Sequence, residues 1–328
     1  YDVRQSGFTG GSINAVTRSG SNNINASVYT YYNDESFRGD KVGKTTLTLS
    51  DSKYLVYGFR VGAPIIKDKL FLFINAEKEE STEPGPSSVA ATPEKPFTDG
   101  SNNVARPKAT VLNSIRDYLK SKYNYETGEY QGYSSDSPGQ KLLARLDWNI
   151  NSNHKFNIRY SKTEKKNPSA PSTSTSGLGN TSFTSSTRTS IYAKYFQNAR
   201  YYQETNFSSV AGELNSRFFD GKINNTLRVS YSHQNEPRST EGDEFPFVDV
   251  VVNGQTYTSF GTELFSYGNL RDVKTWNFTD EVSMNLGKHN VLAGIQYETN
   301  ETKNGFQRFG SGYYTFKFNT EDDLIAAI

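Results

Sequence analysis

Residues that could carry out nucleophilic chemistry occur in this chain, but none has the surroundings that such chemistry requires. Ser50 and Lys53 match the Ser-x-x-Lys pattern of a lysine-activated serine, yet they lie in a predicted strand and not at the start of a helix. Gly43, Lys44 and Thr45 match the end of a phosphate-binding loop, but the glycine required five residues earlier is absent. The chain contains no Cys. We therefore predict that the protein is not an enzyme and has no cofactor.

Metal-binding residue types are present without the spacing of a metal site. The histidines are His154, His233 and His289, and no two of them are four residues apart. Acidic side chains are concentrated at residues 77–80 and 321–323. Solvated charge at strand ends is the simpler interpretation of both runs, and a divalent-cation site shared with a lipid or ligand is the alternative. We predict no metal site.

Four tyrosines in residues 123–135 are the candidate ligand-binding residues. These are Tyr123, Tyr125, Tyr130 and Tyr133. Tyrosine offers a large contact area with little loss of side-chain entropy, which suits capture of a ligand by a loop. The same side chains could instead pack the loop against itself, and both interpretations remain open at this point.

The composition excludes several classes of protein. Lys and Arg number 36 and Asp and Glu number 35, so no excess of positive charge points to nucleic acid. The mean hydropathy is −0.72, and no stretch approaches the ~20 apolar residues of a membrane-spanning helix. Aromatic residues make up 14% of the chain, with 22 Tyr and 21 Phe, and these types favour strands.

Apolar and polar residues alternate with a period of two over segments of about ten residues, the length of a tilted membrane-spanning strand. This alternation places Leu142, Leu146, Trp148, Val229 and Ile295 on faces that we expect to contact lipid. Asp280 interrupts the apolar face of residues 276–286. In residues 70–77 the leucines face outward, and Phe71 and Phe73 face inward, where something inside a barrel would have to pack against them. Aromatic residues at the strand ends are expected to form interfacial girdles: Tyr31, Tyr32, Trp148, Tyr160, Trp276 and Tyr297.

The connections between these segments alternate between short and long. Residues 64–69, 151–155, 219–222 and 287–289 are tight turns, whereas residues 81–140, 165–190 and 236–275 are long and polar. Since consecutive antiparallel strands bring every second turn to the same end, the long loops should gather at one end, as in an outer-membrane barrel. We predict a mobile loop at 168–190 and one short helix at 111–123. A soluble β-sandwich is the rival fold.

Two motifs resemble TonB-dependent outer-membrane receptors, particularly their Oar-like branch. GGSINAVTRSGSN (10–22) is similar to the end of the plug domain, and VGAPIIKDKLFLF (61–73) is similar to a barrel hairpin of that branch. Ala63 and Leu72 depart from the second pattern. Weaker similarity covers residues 145–160 and 285–298, and residues 312–318 look like the barrel strand that follows. The plug motif matches at Gly10, Gly11, Ile13, Asn14, Thr17 and Arg18.

The resemblance implies an all-β, antiparallel transmembrane β-barrel of about 22 strands, filled by a plug. Residues 1–21 would be the C-terminal end of the plug, and residues 22–328 the N-terminal part of the barrel, with about nine or ten strands, long external loops and one short loop helix. We expect the chain to be a fragment of a longer protein. Gly10, Gly11, Asn14, Thr17 and Arg18 would form the plug–barrel junction, in a structural role.

The function implied is binding of an unknown substrate at the external loops and its import through the barrel, in the outer membrane of a Gram-negative bacterium. The expected partners are outer-membrane lipid, the TonB complex through the absent N-terminal region, and a surface lipoprotein, with no nucleic acid. One alternative is an outer-membrane barrel that serves adhesion or protein export. The other is a soluble extracellular β-sandwich that acts as a binding module.

Overall fold

The computed structural model describes residues 15–43, 45–46, 51–174 and 188–328. The helices of this part are α1 (Ala109–Tyr123) and α2 (Glu321–Ala327), with two single 3-10 turns at Glu35–Phe37 and Gln197–Ala199. Neither α-helix has the length and apolar character required to cross a membrane. The strands are β1 (Asn25–Asp34), β2 (Lys41–Val42), β3 (Thr45–Thr46), β4 (Lys53–Ile66), β5 (Leu70–Pro84), β6 (Val89–Ala91), β7 (Val104–Lys108), β8 (Ser134–Asp136), β9 (Gly139–Asn149), β10 (His154–Ser169), β11 (Lys194–Tyr195), β12 (Tyr201–Phe218), β13 (Ile223–Thr240), β14 (Phe247–Val252), β15 (Gln255–Phe260), β16 (Leu270–Leu286), β17 (His289–Gly305) and β18 (Tyr313–Phe318).

Nine long strands form one antiparallel meander in the order β1-β4-β5-β9-β10-β12-β13-β16-β17, and β8 pairs with the end of β5. Each strand of the meander therefore neighbours the next long strand along the chain. Among the described residues β1 and β17 are the two edges, so the sheet is open. This confirms the predicted all-β antiparallel fold with nine or ten strands.

One face of this sheet is apolar and uncovered. Trp148 is 41% exposed, Val229 40% and Ile295 65%, and Leu142 is 37% exposed. Leu146 is half-buried on the same face. These side chains do not lie in a dry interior between two layers, which excludes the β-sandwich. The register aligns apolar positions across seven strands in the row Leu72, Leu146, Ile158, Gly212, Val229, Phe278 and Tyr297.

Asp280 is the polar interruption of this apolar face, and its partner comes from the neighbouring strand. The amide of Asn225 on β13 donates to the Asp280 carboxylate on β16. Leu227 and Ile295 flank Asp280 in the register. The hydrogen bond lowers the cost of placing a carboxylate among apolar neighbours, because a buried polar group without a partner is strongly unfavourable.

The opposite face is polar and linked by hydrogen bonds between strands. Arg228 on β13 donates to Glu213 at 2.7 Å and to Glu281 at 3.1 Å, which joins β12, β13 and β16. Tyr29 on β1 donates to Glu77 on β5 at 2.7 Å. Such a face is suited to an aqueous or protein-filled interior and not to lipid.

The turns sort by length to the two ends of the sheet, as predicted. Residues 67–69, 150–153, 219–222 and 287–288 close four hairpins at one end. Residues 35–52, 85–138, 170–200 and 241–269 connect strands at the other end. Asp68 adopts φ 63° in the first tight turn, and Phe219 and Asp220 are also left-handed in the third.

The long connections fold together into what we call the loop layer: residues 85–138, 170–174, 188–200, 241–269 and 306–328. A four-stranded sheet in the order β11-β15-β14-β18 crosses it. The apolar core of the layer draws on residues 85–138, 188–200, 241–269 and 306–328, with members that include Ala90, Leu112, Tyr125, Phe196, Val250, Tyr257 and Leu324. The sequence showed these connections only as long and polar, and the structure adds that their scattered apolar residues meet in one core.

Two predictions about the loops are thereby resolved. Helix α1 covers the predicted helix at 111–123 and confirms it, with Val111, Leu112, Ile115 and Leu119 buried. The interpretation of residues 312–318 as a barrel strand is wrong, because β18 pairs in parallel with β14 inside the loop layer. Residues 175–187 of the predicted mobile loop lie outside the described residues.

Buried charges hold the loop layer together. Arg188 pairs with Asp249 at 2.6 Å, and Asp249 also accepts from Ser259 at 2.6 Å and from Tyr313 at 2.7 Å. Lys194 is 2% exposed and donates to the backbone carbonyl and hydroxyl of Ser88. Burial lowers the pKa of Lys194 to about 8, since desolvation disfavours its charged form.

Candidate functional site

Residues 15–22, which precede β1, lie against the polar face of the sheet near its tight-turn end. The Arg145 guanidinium on β9 donates to the carbonyl of Thr17 at 3.0 Å and to its hydroxyl at 2.7 Å. Asp147 accepts from the same guanidinium at 2.7 Å and fixes its orientation. At the other end of the segment, the Asn22 amide donates to Asp68 at 2.5 Å. These contacts pin the segment to β9 and to the first tight turn.

At Gly20 the backbone of this segment approaches the backbone of the β4–β5 hairpin closely. A Cβ at Gly20 would lie 2.5 Å from the carbonyl oxygen of Leu72 and 2.9 Å from that of Ala63. Gly62 faces Gly20, since a Cβ there would lie 3.4 Å from the Gly20 Cα and 3.4 Å from the Phe73 ring. Phe73 is 6% exposed. The inward-facing Phe73 thus lies next to the chain that packs inside the sheet, as the sequence led us to expect.

The predicted junction residues divide between described and undescribed parts of the chain. Gly10, Gly11 and Asn14 lie outside the described residues. Thr17 contacts Arg145, as above, and Arg18 is exposed beside a cavity of about 430 Å³ that Arg60 also lines. The role of these residues as a plug–barrel junction stays a prediction.

A second cavity, of about 600 Å³, opens in the loop layer, and we call it the loop cavity. Its walls come from the connection after β6, from β7 and the start of α1, from the β14–β15 hairpin, and from the start of α2. The apolar part of the lining is formed by Ala91, Pro93, Pro96, Phe97, Ala109 and Val252. Its volume lies within the range of about 300–1,000 Å³ typical of small-molecule sites.

Arg106 forms one wall of the loop cavity and is held by carbonyl oxygens. Its guanidinium donates to Val252 at 3.2 Å, to Gln255 at 3.2 Å and to Thr256 at 3.0 Å. These carbonyls surround the two-residue turn of the β14–β15 hairpin, where Asn253 and Gly254 have φ of 52° and 70°. Positive φ at both positions is the requirement of a type I′ turn, which Asn-Gly meets at low cost.

Glu321 carries the negative charge in the lining of the loop cavity. Its carboxylate accepts from the Tyr257 hydroxyl and pairs with the Lys108 ammonium. The Tyr257 hydroxyl in turn accepts from the Lys108 backbone N–H at 2.7 Å. Burial, together with the bond to Glu321, raises the pKa of Tyr257, so its hydroxyl remains a donor. Burial lowers the pKa of Arg106, but a guanidinium remains charged throughout the physiological range.

The charges around the loop cavity do not cancel. Arg106 and Lys108 contribute two positive charges, and Glu321 contributes one negative charge. The lining therefore carries a net charge of +1. In a partly desolvated site such a charge interacts more strongly with a ligand than it would in water.

The four candidate tyrosines lie in the loop layer but not in the lining of the loop cavity. Tyr125 is 3% exposed and stacks on Phe245 at 4.1 Å, and Tyr130 is 6% exposed and packs edge-on against Phe196. Tyr133 lies under the Arg200 guanidinium, 5.3 Å from its ring centroid. Tyr123 is 55% exposed. Packing of the loops accounts for the buried rings, and ligand binding by the four stays a prediction.

The acidic runs have protein partners. Glu79 pairs with Lys165 at 2.8 Å and Glu80 with Lys78 at 3.1 Å. Residues 321–323 form the first turn of α2, where Asp323 and Thr320 make a capping box. Within the described ranges, no three His, Asp or Glu side chains are grouped as a metal site would require.

Aromatic side chains mark two levels of the apolar face. Trp148 lies close to a tight turn, whereas Tyr160 and Trp276 share a register row nearer the loop layer. Tyr297 lies between these two levels, in the row of Leu146. Between this second level and the loop layer, the same face of these strands carries charged side chains: Lys162, Glu164, Lys274, Glu301 and Lys303. Tyr31 does not belong to either level, because the alternation of β1 places it on the polar face beside Tyr29.

Sequence comparison identifies the family of this structure. The family described as the outer membrane beta barrel domain matches residues 16–324, nearly the whole chain. No curated protein matches the sequence. The uncovered apolar face, the polar face and the sorting of turns all agree with this family. The chain belongs to the outer membrane beta barrel domain family, and its apolar face spans the outer membrane of a Gram-negative bacterium.

Proposed function

We propose that this chain is the first part of the barrel of a TonB-dependent outer-membrane receptor, which captures a substrate at the loop layer and imports it past an internal plug. The observation that carries the proposal is the position of residues 15–22. This segment lies on the polar face, held by Arg145 and by the close approach of Gly20, and leads directly into β1. A chain that enters the first strand from inside the barrel is the arrangement that an N-terminal plug requires.

The loop layer supports the binding half of the proposal. Its connections pack around their own apolar core instead of extending into solvent, so they form a fixed surface. The loop cavity lies within that surface and has the volume of a small-molecule site. Under this proposal the TonB complex acts on the plug and outer-membrane lipid surrounds the apolar face. A surface lipoprotein that covers the loop layer is a further proposed partner.

Import can be tested in the native bacterium by comparing three strains. The medium of wild-type, receptor-deletion and TonB-deficient cells would be analysed for small molecules that remain unconsumed. We expect the same compounds to persist with both mutant strains, because import requires both the receptor and the energy that TonB transmits. Loss of secreted proteins, or loss of surface attachment without any change in uptake, would instead support the export or adhesion alternative.

A further inference from the structure

We propose that the loop cavity binds an organic anion that has an aromatic or branched apolar body, an assignment that rests on the proposed receptor function and specifies its substrate class. Three properties of the cavity lead to this chemistry: its volume, its apolar wall and its uncompensated positive charge.

The volume sets the size of the ligand. A cavity of about 600 Å³ has room for ~20 water molecules at ~30 Å³ each. A ligand with two fused rings and a short polar group fits within that space, and a whole protein domain does not.

The apolar wall selects the body of the ligand. Pro93, Pro96 and Phe97 come from the connection after β6, and Ala109 and Val252 come from α1 and β14. Phe97 is held edge-on against Tyr192 at 5.6 Å between ring centroids, so its position is fixed by packing. A flat aromatic or branched aliphatic group would displace water from these surfaces, which is favourable in proportion to the apolar area covered.

The positive charge selects the polar end. Arg106 is fixed by carbonyl oxygens of the β14–β15 hairpin, which accept from its guanidinium but contribute no negative charge. Glu321 balances one of the two cations, Arg106 and Lys108, and the second remains unbalanced. Lys108 is the more accessible of the two, with 55% of its side chain exposed. A carboxylate or sulfonate placed beside Lys108 would neutralise the lining, whereas an ammonium group would raise its net charge to +2.

Binding of two matched probes to the protein in lipid nanodiscs tests this assignment. The probes are 2-naphthoate and its uncharged amide, 2-naphthamide, measured by equilibrium dialysis. We expect naphthoate to bind about tenfold more tightly than the amide, which corresponds to about 1.4 kcal/mol, because a charge interaction is stronger in a partly desolvated site than in water.

Variants separate the charge from the apolar wall. Lys108→Met lowers the net charge of the lining from +1 to zero and should weaken naphthoate binding about tenfold while leaving naphthamide unchanged. Glu321→Gln raises the net charge and should strengthen naphthoate binding. Phe97→Ala should weaken both probes alike. Lys120→Met is the matched control, because Lys120 lies in the last turn of α1, the helix that begins after Lys108, and pairs with Glu126 outside the cavity.

The proposal is overturned by equal affinity for the two probes, by naphthoate binding that Lys108→Met leaves intact, or by absence of binding at about 1 mM. The circular dichroism spectrum and trypsin resistance of each variant show that it has folded. The two proposals fail separately. Naphthoate binding without TonB-dependent uptake retains the anion site and refutes import, whereas TonB-dependent uptake without naphthoate binding refutes the anion site alone.

Discussion

Replacing Gly20 by alanine should detach residues 15–22 from the wall of the sheet. The new Cβ would lie 2.5 Å from the Leu72 carbonyl oxygen, 2.9 Å from the Ala63 carbonyl oxygen and 3.0 Å from the Leu72 nitrogen. All three are backbone atoms of the β4–β5 hairpin, which is fixed by its ladder of hydrogen bonds. The segment must therefore move outward by several tenths of an ångström or more.

The magnitude of the effect follows from the contacts on either side of Gly20. Overpacking against a rigid wall typically costs about 1–3 kcal/mol. The displacement also stretches the Arg145–Thr17 and Asn22–Asp68 hydrogen bonds, which lie three and two residues away. With about 2 kcal/mol lost in total, the population of the detached segment rises about 30-fold, since 1.4 kcal/mol corresponds to a factor of ten.

Hydrogen–deuterium exchange of the protein in lipid nanodiscs measures this population. Amides of residues 15–22 should exchange about 10- to 100-fold faster in Gly20→Ala than in the wild type, while the β4–β5 hairpin remains protected. Gly39→Ala is the matched control, because nothing lies within 4 Å of a Cβ at Gly39. If Gly20→Ala exchanged at the wild-type rate, the segment would not be held by close backbone contact, and the reasoning would fail.

Three further changes test the membrane face and the loop layer. Val229→Arg places a charge on the lipid face of β13 and should lower the free energy of unfolding in lipid vesicles by about 2–4 kcal/mol, whereas Ser230→Arg, on the polar face, should change it by less than about 0.5 kcal/mol. Asp249→Ala leaves Arg188 buried without its carboxylate and should lower the free energy of unfolding by about 3–5 kcal/mol, measured by urea unfolding. Burial lowers the pKa of Lys194 from 10.5 to about 8, so the unfolded chain binds more protons than the folded protein between these pH values. The free energy of unfolding should therefore rise with pH by up to ~3 kcal/mol across this window. Lys194→Met should remove that rise.

Each of these expectations has a contrary outcome. Equal effects of arginine at positions 229 and 230 would mean that the two faces of β13 meet the same medium. An Asp249→Ala variant with unchanged stability would mean that Arg188 reaches water. If the wild type and Lys194→Met had the same pH dependence between pH 8 and 10.5, the ammonium of Lys194 would not be desolvated in the folded protein.

The sheet of nine long strands could be predicted from the sequence because the residues that determine each strand and turn are local. Residues 61–73 contain an apolar strand, a charged turn and a second apolar strand, and the alternation assigns every side chain to a face once one is assigned. Val229, Ile295 and Trp148 consequently appear on the predicted face. The separation of short from long connections needs only the antiparallel rule, and it was predicted correctly.

The loop layer could not be predicted in the same way, because its core joins residues that are distant in sequence. A buried hairpin was nevertheless detectable: residues 247–252 are rich in valine, and Asn253-Gly254 after them is a strong two-residue turn signal. Apolar and polar residues alternate in Tyr313–Phe318 as they do in the strands of the nine-stranded sheet, and only its pairing with β14 reveals its place in the loop layer. The loop cavity has no sequence signature, since its charges come from β7 and α2, far apart along the chain.

The core of the loop layer implies an order of assembly. Ala90, Phe196, Val250 and Leu324 belong to four separate connections, so bringing them together in an unfolded chain would require closing several long loops at once, with a large entropy loss. Pairing the hairpins first removes most of that loss. A register slip of two residues would displace a connection by about 7 Å and leave the core unable to close. Closure of the layer should therefore be the last step of folding, and resistance of the loops to protease at the cell surface should report whether every strand beneath them has found its register.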